Sequence, residues 1–503
     1  MPRDRTIIIG AGMGGLAAAV TLAGAGHEVL VLERAAAPGG KMRRLDVHGH
    51  FIDGGPTVLT MRWVFEQLFA AAGADLSDHV TLEPLAILAR HAWSEGERLD
   101  LHADLQASAE AIGDFSGAEE ARRFLAFSAE ARRIYQALEK PFIRSQRPNP
   151  VTLATANGLK GMMEMARINP FETMWKGLGR HFRDARLQQL FGRYATYCGS
   201  SPFLAPATLM LVAHVEQAGV WTVKGGMHEL ATALAALARR KGVEIRYGAE
   251  VQEVRTRNGS VCGVRCGEEE LACSAVIVNA DANAVASGLL GADVQRAVAP
   301  VPVKQRSLAA ITWAAAVETQ GFPLSRHNVF FSRDYRQEFR ELTNGYPSEP
   351  TVYICAQDRE GHAGGPERLL LLVNSPANGD HAPQTPEAVE AAMRRKLADC
   401  GLHIDWNPDN IITTDPARFG SLFPATGGAL YGRASHGWMA SFQRPRARTA
   451  IPGLYLAGGS VHPGPGVPMA ALSGLLAAES LMASRASTRR FHPAAIAGGT
   501  STA

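Results

Sequence analysis

Apolar residues crowd the start of the chain in short runs of two kinds. Residues 6–9 are β-branched and predict a strand. Residues 16–25 form a longer apolar stretch and predict a helix. Residues 28–32 predict a second strand, which ends in Glu33. Further on, the pattern predicts a helix over 228–241 and strands over 243–247, 249–255, 261–265 and 271–278. A last strand at 454–456 precedes a helix over 470–481. Residues 71–215 read as mostly helical, with an amphipathic helix over 119–140 and a proline-bearing break over 141–150. Residues 295–440 mix strands at 352–356 and 369–373 with a helix at 386–400.

The turn between the first strand and helix carries chemistry. It reads Gly10-Ala11-Gly12-Met13-Gly14-Gly15. A strand, a glycine turn, a helix, a strand and an acid at roughly 20 residues' spacing are what a dinucleotide requires. Gly10 allows the tight turn, Gly12 lets the backbone approach a pyrophosphate, and Gly15 lets helix and strand pack closely. Amides at the helix start favour phosphate charge. Glu33 can accept hydrogen bonds from a ribose.

A chain of 503 residues exceeds one compact core, so two or more domains are expected. The dinucleotide domain is assigned to 1–70, 221–290 and 445–483, and a substrate domain to 71–220 and 291–444. Residues 484–503, rich in Ala, Ser, Thr and Gly, are expected to be a disordered tail. The net charge of +3 makes no case for nucleic acid. A pI near 8.5 is compatible with weak attraction to anionic lipid. The six cysteines form no Cys-x-x-Cys pair and are expected to be free thiols in a reducing cytoplasm; no metal motif is present. The start reads as a strand, not a signal peptide, and no uninterrupted apolar run of about 20 residues predicts a spanning helix.

Beyond Glu33 come Arg34 and the run Gly39-Gly40-Lys41, then residues 51–57, ending Gly54-Gly55-Pro56-Thr57. Residues 455–471 are a strand, glycines, Ser460, and a Pro-Gly-rich turn into a helix. With residues 197–203 and 219–227, these segments resemble the bacterial carotenoid desaturases of the phytoene-desaturase family, from about residue 5 to 482. The resemblance implies an α/β fold: a Rossmann-like FAD-binding domain of the amine-oxidase/desaturase superfamily with a discontinuous substrate domain. It implies FAD held by Gly10, Gly12, Gly14, Gly15 and Glu33, with Arg34, Gly40 and Lys41 on a second diphosphate turn. Pro56 and Thr57 would border the flavin, Val251 the adenine, and Gly459 and Ser460 the ribityl chain. Val467, Pro468 and Met469 would open a helix whose positive end faces the flavin pyrimidine edge. Many flavoproteins carry Asp where Ser460 stands.

Phytoene desaturases typically have Asp-Pro soon after Gly-Pro-Thr. This chain instead has Val58-Leu59-Thr60-Met61-Arg62-Trp63. In this, and in residues 421–433 and 435–438, it resembles the 1-hydroxycarotenoid 3,4-desaturases (methoxyneurosporene desaturases) of purple bacteria. That resemblance implies removal of two hydrogens across C3–C4 of a 1-hydroxy- or 1-methoxycarotenoid. It also implies oxygen or a quinone as electron acceptor, and a cytoplasmic enzyme peripheral to the photosynthetic membrane surface. The catalytic base is unassigned. His462 is a candidate base, Lys224 a candidate for fixing the flavin or a loop, Arg62 and His436 are candidates to meet the substrate's oxygen end, and Met61, Trp63, Phe65, Met162, Met163 and Met165 are candidates for an apolar tunnel. Two alternatives stay open: a desaturase of other regiochemistry, such as one acting on phytoene, and a flavin-less module like the GDP-dissociation inhibitors.

Overall fold

The computed structural model describes residues 4–155, 171–343, 345–359, 365–381 and 386–491. Its first layer is a parallel five-stranded sheet. In spatial order the strands are Leu454–Leu456, Ala275–Val278, Arg5–Ile9, Glu28–Glu33 and Glu244–Tyr247. Apart from the edge strand Glu244–Tyr247, which is EIRY and only partly buried, these strands are almost continuously apolar because both sheet faces are covered. The strand period of two divides them cleanly. Ile8, Val29, Val31 and Ile277 pack against helices Met13–Gly24, His228–Arg240 and Val467–Phe491. Ile7, Ile9, Leu30 and Val276 pack on the other side with Val254 and Val264. Those two belong to a three-stranded antiparallel sheet, Val251–Arg257, Ser260–Cys266 and Glu269–Ala272. The run expected as one strand over 271–278 therefore divides at Cys273-Ser274 between two sheets.

The second layer is a seven-stranded sheet in the order Ile411–Thr414, Ala309–Val317, Glu367–Ser375, Val352–Ala356, His327–Phe330, Ile87–Ser94 and Glu97–His102. Its last two strands correct the expectation that 71–215 is mostly helical. They form a hairpin across Glu95-Gly96, where Gly96 takes φ +86°. Helix Ala118–Leu138 packs near that edge, sharing a core that includes Trp93, Phe127, Phe191 and Phe331.

The helix expected over 470–481 spans Val467–Phe491 and so continues into the segment expected to be disordered from 484. Its small, apolar residues up to Met482 pack on the first helix, and beyond them Arg485 pairs with Asp4 at 3.1 Å. Residues 492–503 lie outside the described residues. Among the described residues this is the one helix long and apolar enough to cross a membrane, by length and composition, and 67% of its apolar window is buried in the protein.

That packing is close. A Cβ on Gly474 would sit 2.1 Å from the Gly14 carbonyl oxygen, which belongs to backbone and cannot rotate away. Gly474→Val should therefore destabilise the fold by about 1–3 kcal/mol or more. The check is a lowered thermal midpoint by circular dichroism, with a reduced yield of soluble protein.

Candidate active site

The carboxyl ends of the parallel strands and one face of the seven-stranded sheet enclose a cavity of about 1760 Å³. Gly10, Gly12, Gly14, Glu33, Arg34, Gly40, Lys41, Pro56, Thr57, Val251, Gly459, Ser460, Val467, Pro468 and Met469 all line it. Gly15 does not. Its Cβ would fall 2.1 Å from the Gly10 carbonyl oxygen, so it serves the close packing beneath the turn.

Local geometry fits an anionic dinucleotide. Gly12 caps the first helix with no side-chain acceptor, and the first turn holds no acid, so its amides are not capped from within. The second turn lies directly on the first: Gly39 bridges Gly12 and donates to the Ala11 carbonyl at 2.9 Å. Gly39 and Gly40 adopt φ +114° and +58°, which a side chain would resist. Glu33 is buried. Its two oxygens accept from the Ala11 amide at 2.6 Å and the Ala35 amide at 2.8 Å, which fixes the carboxylate at the cavity wall.

Two cations in the wall strengthen the fit. The Lys41 ammonium donates to the Leu430 carbonyl, and burial pushes it below its ordinary value against the pull of Asp281. Arg444 donates to the carbonyls of Tyr431 at 2.9 Å and Arg433 at 2.7 Å, and burial lowers it to about 10. Among the described residues neither forms an ion pair. Buried cations without a carboxylate are costly unless an anion joins them, and a diphosphate supplies one. Arg34, also in the wall, donates to the carbonyls of Ser421 and Leu422 and pairs with Glu250 at 3.7 Å. Ser460 accepts from the Ala282 amide at 2.9 Å and keeps its own hydroxyl hydrogen to donate.

The far part of the cavity is walled by apolar side chains, including Leu209, Leu211, Val212, Leu370 and Leu372. One polar cluster interrupts them. Thr57 meets the Tyr353 hydroxyl at 2.6 Å, and that hydroxyl meets His327 Nδ1 at 2.8 Å. Beside them Tyr197 donates to Glu216 at 2.9 Å, and Tyr194 donates to its other oxygen. Apart from Thr57, sequence reasoning missed this cluster and Asp281, because their residues come from distant elements. The asparagine and aspartate that follow the strand Ala275–Val278, at the sheet's carboxyl edge, were the available signal for Asp281.

The candidate base His462 and the candidates Lys224, Arg62 and His436 do not line the cavity. Arg62 pairs with Glu66 at 2.8 Å, His436 accepts from the Ser201 amide at 3.1 Å, and Lys224 is exposed. His462 sits behind the wall, bonded through Nε2 to the Ser145 carbonyl at 2.9 Å and edge-on to Phe142. Met61 lines the cavity, whereas Phe65 is core and Trp63 lies under the Arg144 guanidinium. Met162, Met163 and Met165 lie outside the described residues.

This fold and cradle define an FAD-binding oxidoreductase. Residues 13–482 match the flavin containing amine oxidoreductases, and the chain belongs to that family. It is 54% identical over 508 residues to a hydroxyneurosporene desaturase of Rubrivivax gelatinosus, covering 99% of this chain and 97% of that one. It is 45% identical over 490 residues to a hydroxyneurosporene desaturase of Cereibacter sphaeroides, covering 97% and 99%. Cyclohexylamine oxidase from Brevibacterium oxydans superposes with a TM-score of 0.56 at 15% identity, over 97% of this chain and 100% of that one, a likeness of fold alone.

Two outcomes follow from this geometry. Gly12→Val would put a side chain at the cradle, where its Cβ lies 2.8 Å from the Asn279 side chain. It should lose most bound FAD, read from the flavin-to-protein absorbance ratio, with far-ultraviolet dichroism retained. The second outcome concerns acid. Burial, as the largest cause, lowers His462 to about 4, His327 to about 3 and His91 well below the ordinary value of 6.5. Unfolded, these imidazoles take up protons near 6.5, so stability is full above that pH and falls as pH drops towards the folded values. The thermal midpoint should decline from about pH 7 to about pH 5, and His462→Gln should flatten that slope.

Proposed function

We propose that this protein introduces the C3–C4 double bond into acyclic 1-hydroxy- or 1-methoxycarotenoids. The observation that carries the reading is its 54% identity, over 99% of the chain, to a hydroxyneurosporene desaturase. The cavity supports it, since one continuous space joins the dinucleotide turns to apolar walls suited to a polyene.

Gly10, Gly12, Gly14, Gly40 and Lys41 hold the diphosphate, and Gly15 supports their turn. Glu33 holds the adenosine ribose and Val251 the adenine. Arg34 closes the adenosine side through its carbonyl contacts. Ser460 and Gly459 meet the ribityl chain, and Pro56, Thr57 and Val467–Met469 border the ring. Bound FAD supplies a two-electron acceptor. Leu209, Leu211, Val212, Leu370 and Leu372 bury the polyene and exclude water. The substrate eases its own reaction. C4 is allylic, so loss of hydride there leaves a delocalised cation, and the C3–H beside it becomes acidic. The chain has mainly to hold and orient the end group. The electrons pass on to oxygen or a quinone.

The cavity mouth supports docking on the cytoplasmic surface of the photosynthetic membrane. Phe171 and Trp438 both line the cavity, pack edge-on at 5.2 Å, and are 72% and 40% exposed. Leu204, 54% exposed, is tied to the Trp438 loop by the Gly437 amide at 2.9 Å. Aromatic and aliphatic groups at an entrance suit an apolar substrate arriving from a bilayer. Phe171→Ser with Trp438→Ser should reduce co-sedimentation with liposomes, while conversion of detergent-dispersed substrate falls less.

Regiochemistry is tested by supplying 1-hydroxyneurosporene, neurosporene and phytoene separately and analysing products. 1-Hydroxyneurosporene should be converted, its absorption moving to longer wavelength as conjugation gains one double bond, and phytoene should remain. Multi-step desaturation of phytoene with 1-hydroxyneurosporene untouched would overturn the reading.

A further inference from the structure

Arg193 brings a buried guanidinium to the cavity wall. Arg193 is 5% exposed and lines the cavity, and its Nε has no hydrogen-bond partner among the described residues. The guanidinium lies over the rings of Tyr197 at 5.0 Å and Tyr194 at 5.5 Å. Those rings give it an electrostatic seat, and the Tyr197 hydroxyl takes one hydrogen bond from it, which leaves most of its five N–H groups. The nearby carboxylate, Glu216, is already held by the two tyrosine hydroxyls. A donor group is thus kept charged and in place, facing a space whose other walls are largely apolar.

Its position matters as much as its charge. Arg193 acts electrostatically on both His327 and Tyr353. Tyr353 in turn bonds Thr57. Thr57 belongs to the segment that packs on the second glycine turn, where a Cβ on Gly55 would sit 1.8 Å from the Lys41 carbonyl oxygen. The cluster therefore abuts the FAD end of the cavity. In the substrate, four bonds of about 1.5 Å separate the C1 oxygen from C4, so this oxygen lies within about 5 Å of the reacting carbon. Whatever recognises it must lie close to the cofactor, and the far end of a tunnel is too distant. Arg62 and His436, the earlier candidates for this task, do not line the cavity.

We propose that Arg193 donates a hydrogen bond to the C1 oxygen of the substrate and so selects oxygenated end groups. This rests on the desaturase reading above. A donor serves a hydroxyl and a methoxy oxygen alike, because both accept. A hydrocarbon end would instead bury the guanidinium with nothing to accept from it, and sites built this way reject the analogue lacking oxygen. Tyr194, Tyr197 and Glu216 are positioning residues for Arg193.

The test compares kcat/KM for 1-hydroxyneurosporene, its 1-methoxy counterpart and the 1,2-dihydro hydrocarbon that lacks only the oxygen. Carotenoid retained by the protein after gel filtration gives a binding readout independent of turnover. Wild type should accept both oxygenated substrates and disfavour the hydrocarbon. Arg193→Met should reduce the preference for oxygenated over hydrocarbon substrate by about 10- to 100-fold, mainly through KM, in both kinetics and retention. Should that variant fail to accumulate with FAD, Arg193→Lys is measured the same way; it keeps a donor and should retain preference for oxygen at reduced affinity. An unchanged preference ratio in a folded, FAD-loaded Arg193→Met, or a Lys variant with no preference for oxygen, would overturn the proposal. So would wild type that takes the dihydro hydrocarbon equally well, an outcome that leaves the desaturase reading standing. Failure of wild type on both oxygenated substrates would overturn the desaturase reading itself.

Discussion

The site depends on backbone meeting backbone without side chains between. The turn at Gly10–Gly15, the second turn at Gly39–Gly40, the Gly54-Gly55 segment and the start of the last helix converge from four parts of the chain. Several of these approaches leave no room for a Cβ: 2.1 Å from Gly15 to the Gly10 oxygen, 1.8 Å from Gly55 to the Lys41 oxygen, and 2.1 Å from Gly474 to the Gly14 oxygen. Because the contacts are polar backbone, no repacking of side chains can relieve them. They hold the uncapped amides of the first helix at one edge of the cavity, and everything recognised there is measured from that edge.

Charge in the cavity follows from this enclosure. Glu33 is anchored by two amides, whereas Lys41 and Arg444 are anchored by carbonyl oxygens and, among the described residues, have no carboxylate in an ion pair. Carbonyls orient a cation without cancelling its charge, so a positive potential remains for an anionic cofactor. The polar cluster further in has the opposite arrangement. There Glu216 has its acceptors filled by tyrosine hydroxyls, while Arg193 retains donors. One cavity thus offers two chemistries, attraction of phosphate at the glycine turns and, next to them beyond Thr57, donation to a single neutral oxygen.

The inserted part makes the cavity long. Its seven-stranded sheet turns one face to the space, and its helices supply Leu209, Leu211 and Val212. Phe171 and Trp438, exposed and packed edge-on, line the same cavity.

The amino-acid sequence alone determined the cofactor end. Dinucleotide recognition uses local backbone, so its residues are close in sequence and their spacing is visible: Gly10, Gly12 and Glu33 were proposed from it, Gly14 and Lys41 from the family resemblance, and all five line the cavity. The parallel strands were legible because burial on both faces makes them continuously apolar. The hairpin at Ile87–His102 was not, because half-buried strands inside a helix-rich stretch give a weak period. The substrate end belongs wholly to tertiary structure. Thr57, Arg193, Glu216, His327 and Tyr353 meet because a sheet, a short helical turn and a loop fold together, and no spacing along the chain records that meeting. Folding likewise showed that His462 faces Ser145 behind the wall, and that the last helix spends its apolar residues on the first helix. The physical reason is range: a turn on a phosphate is a contact among neighbours, whereas a buried guanidinium facing a polyene is a contact among strangers.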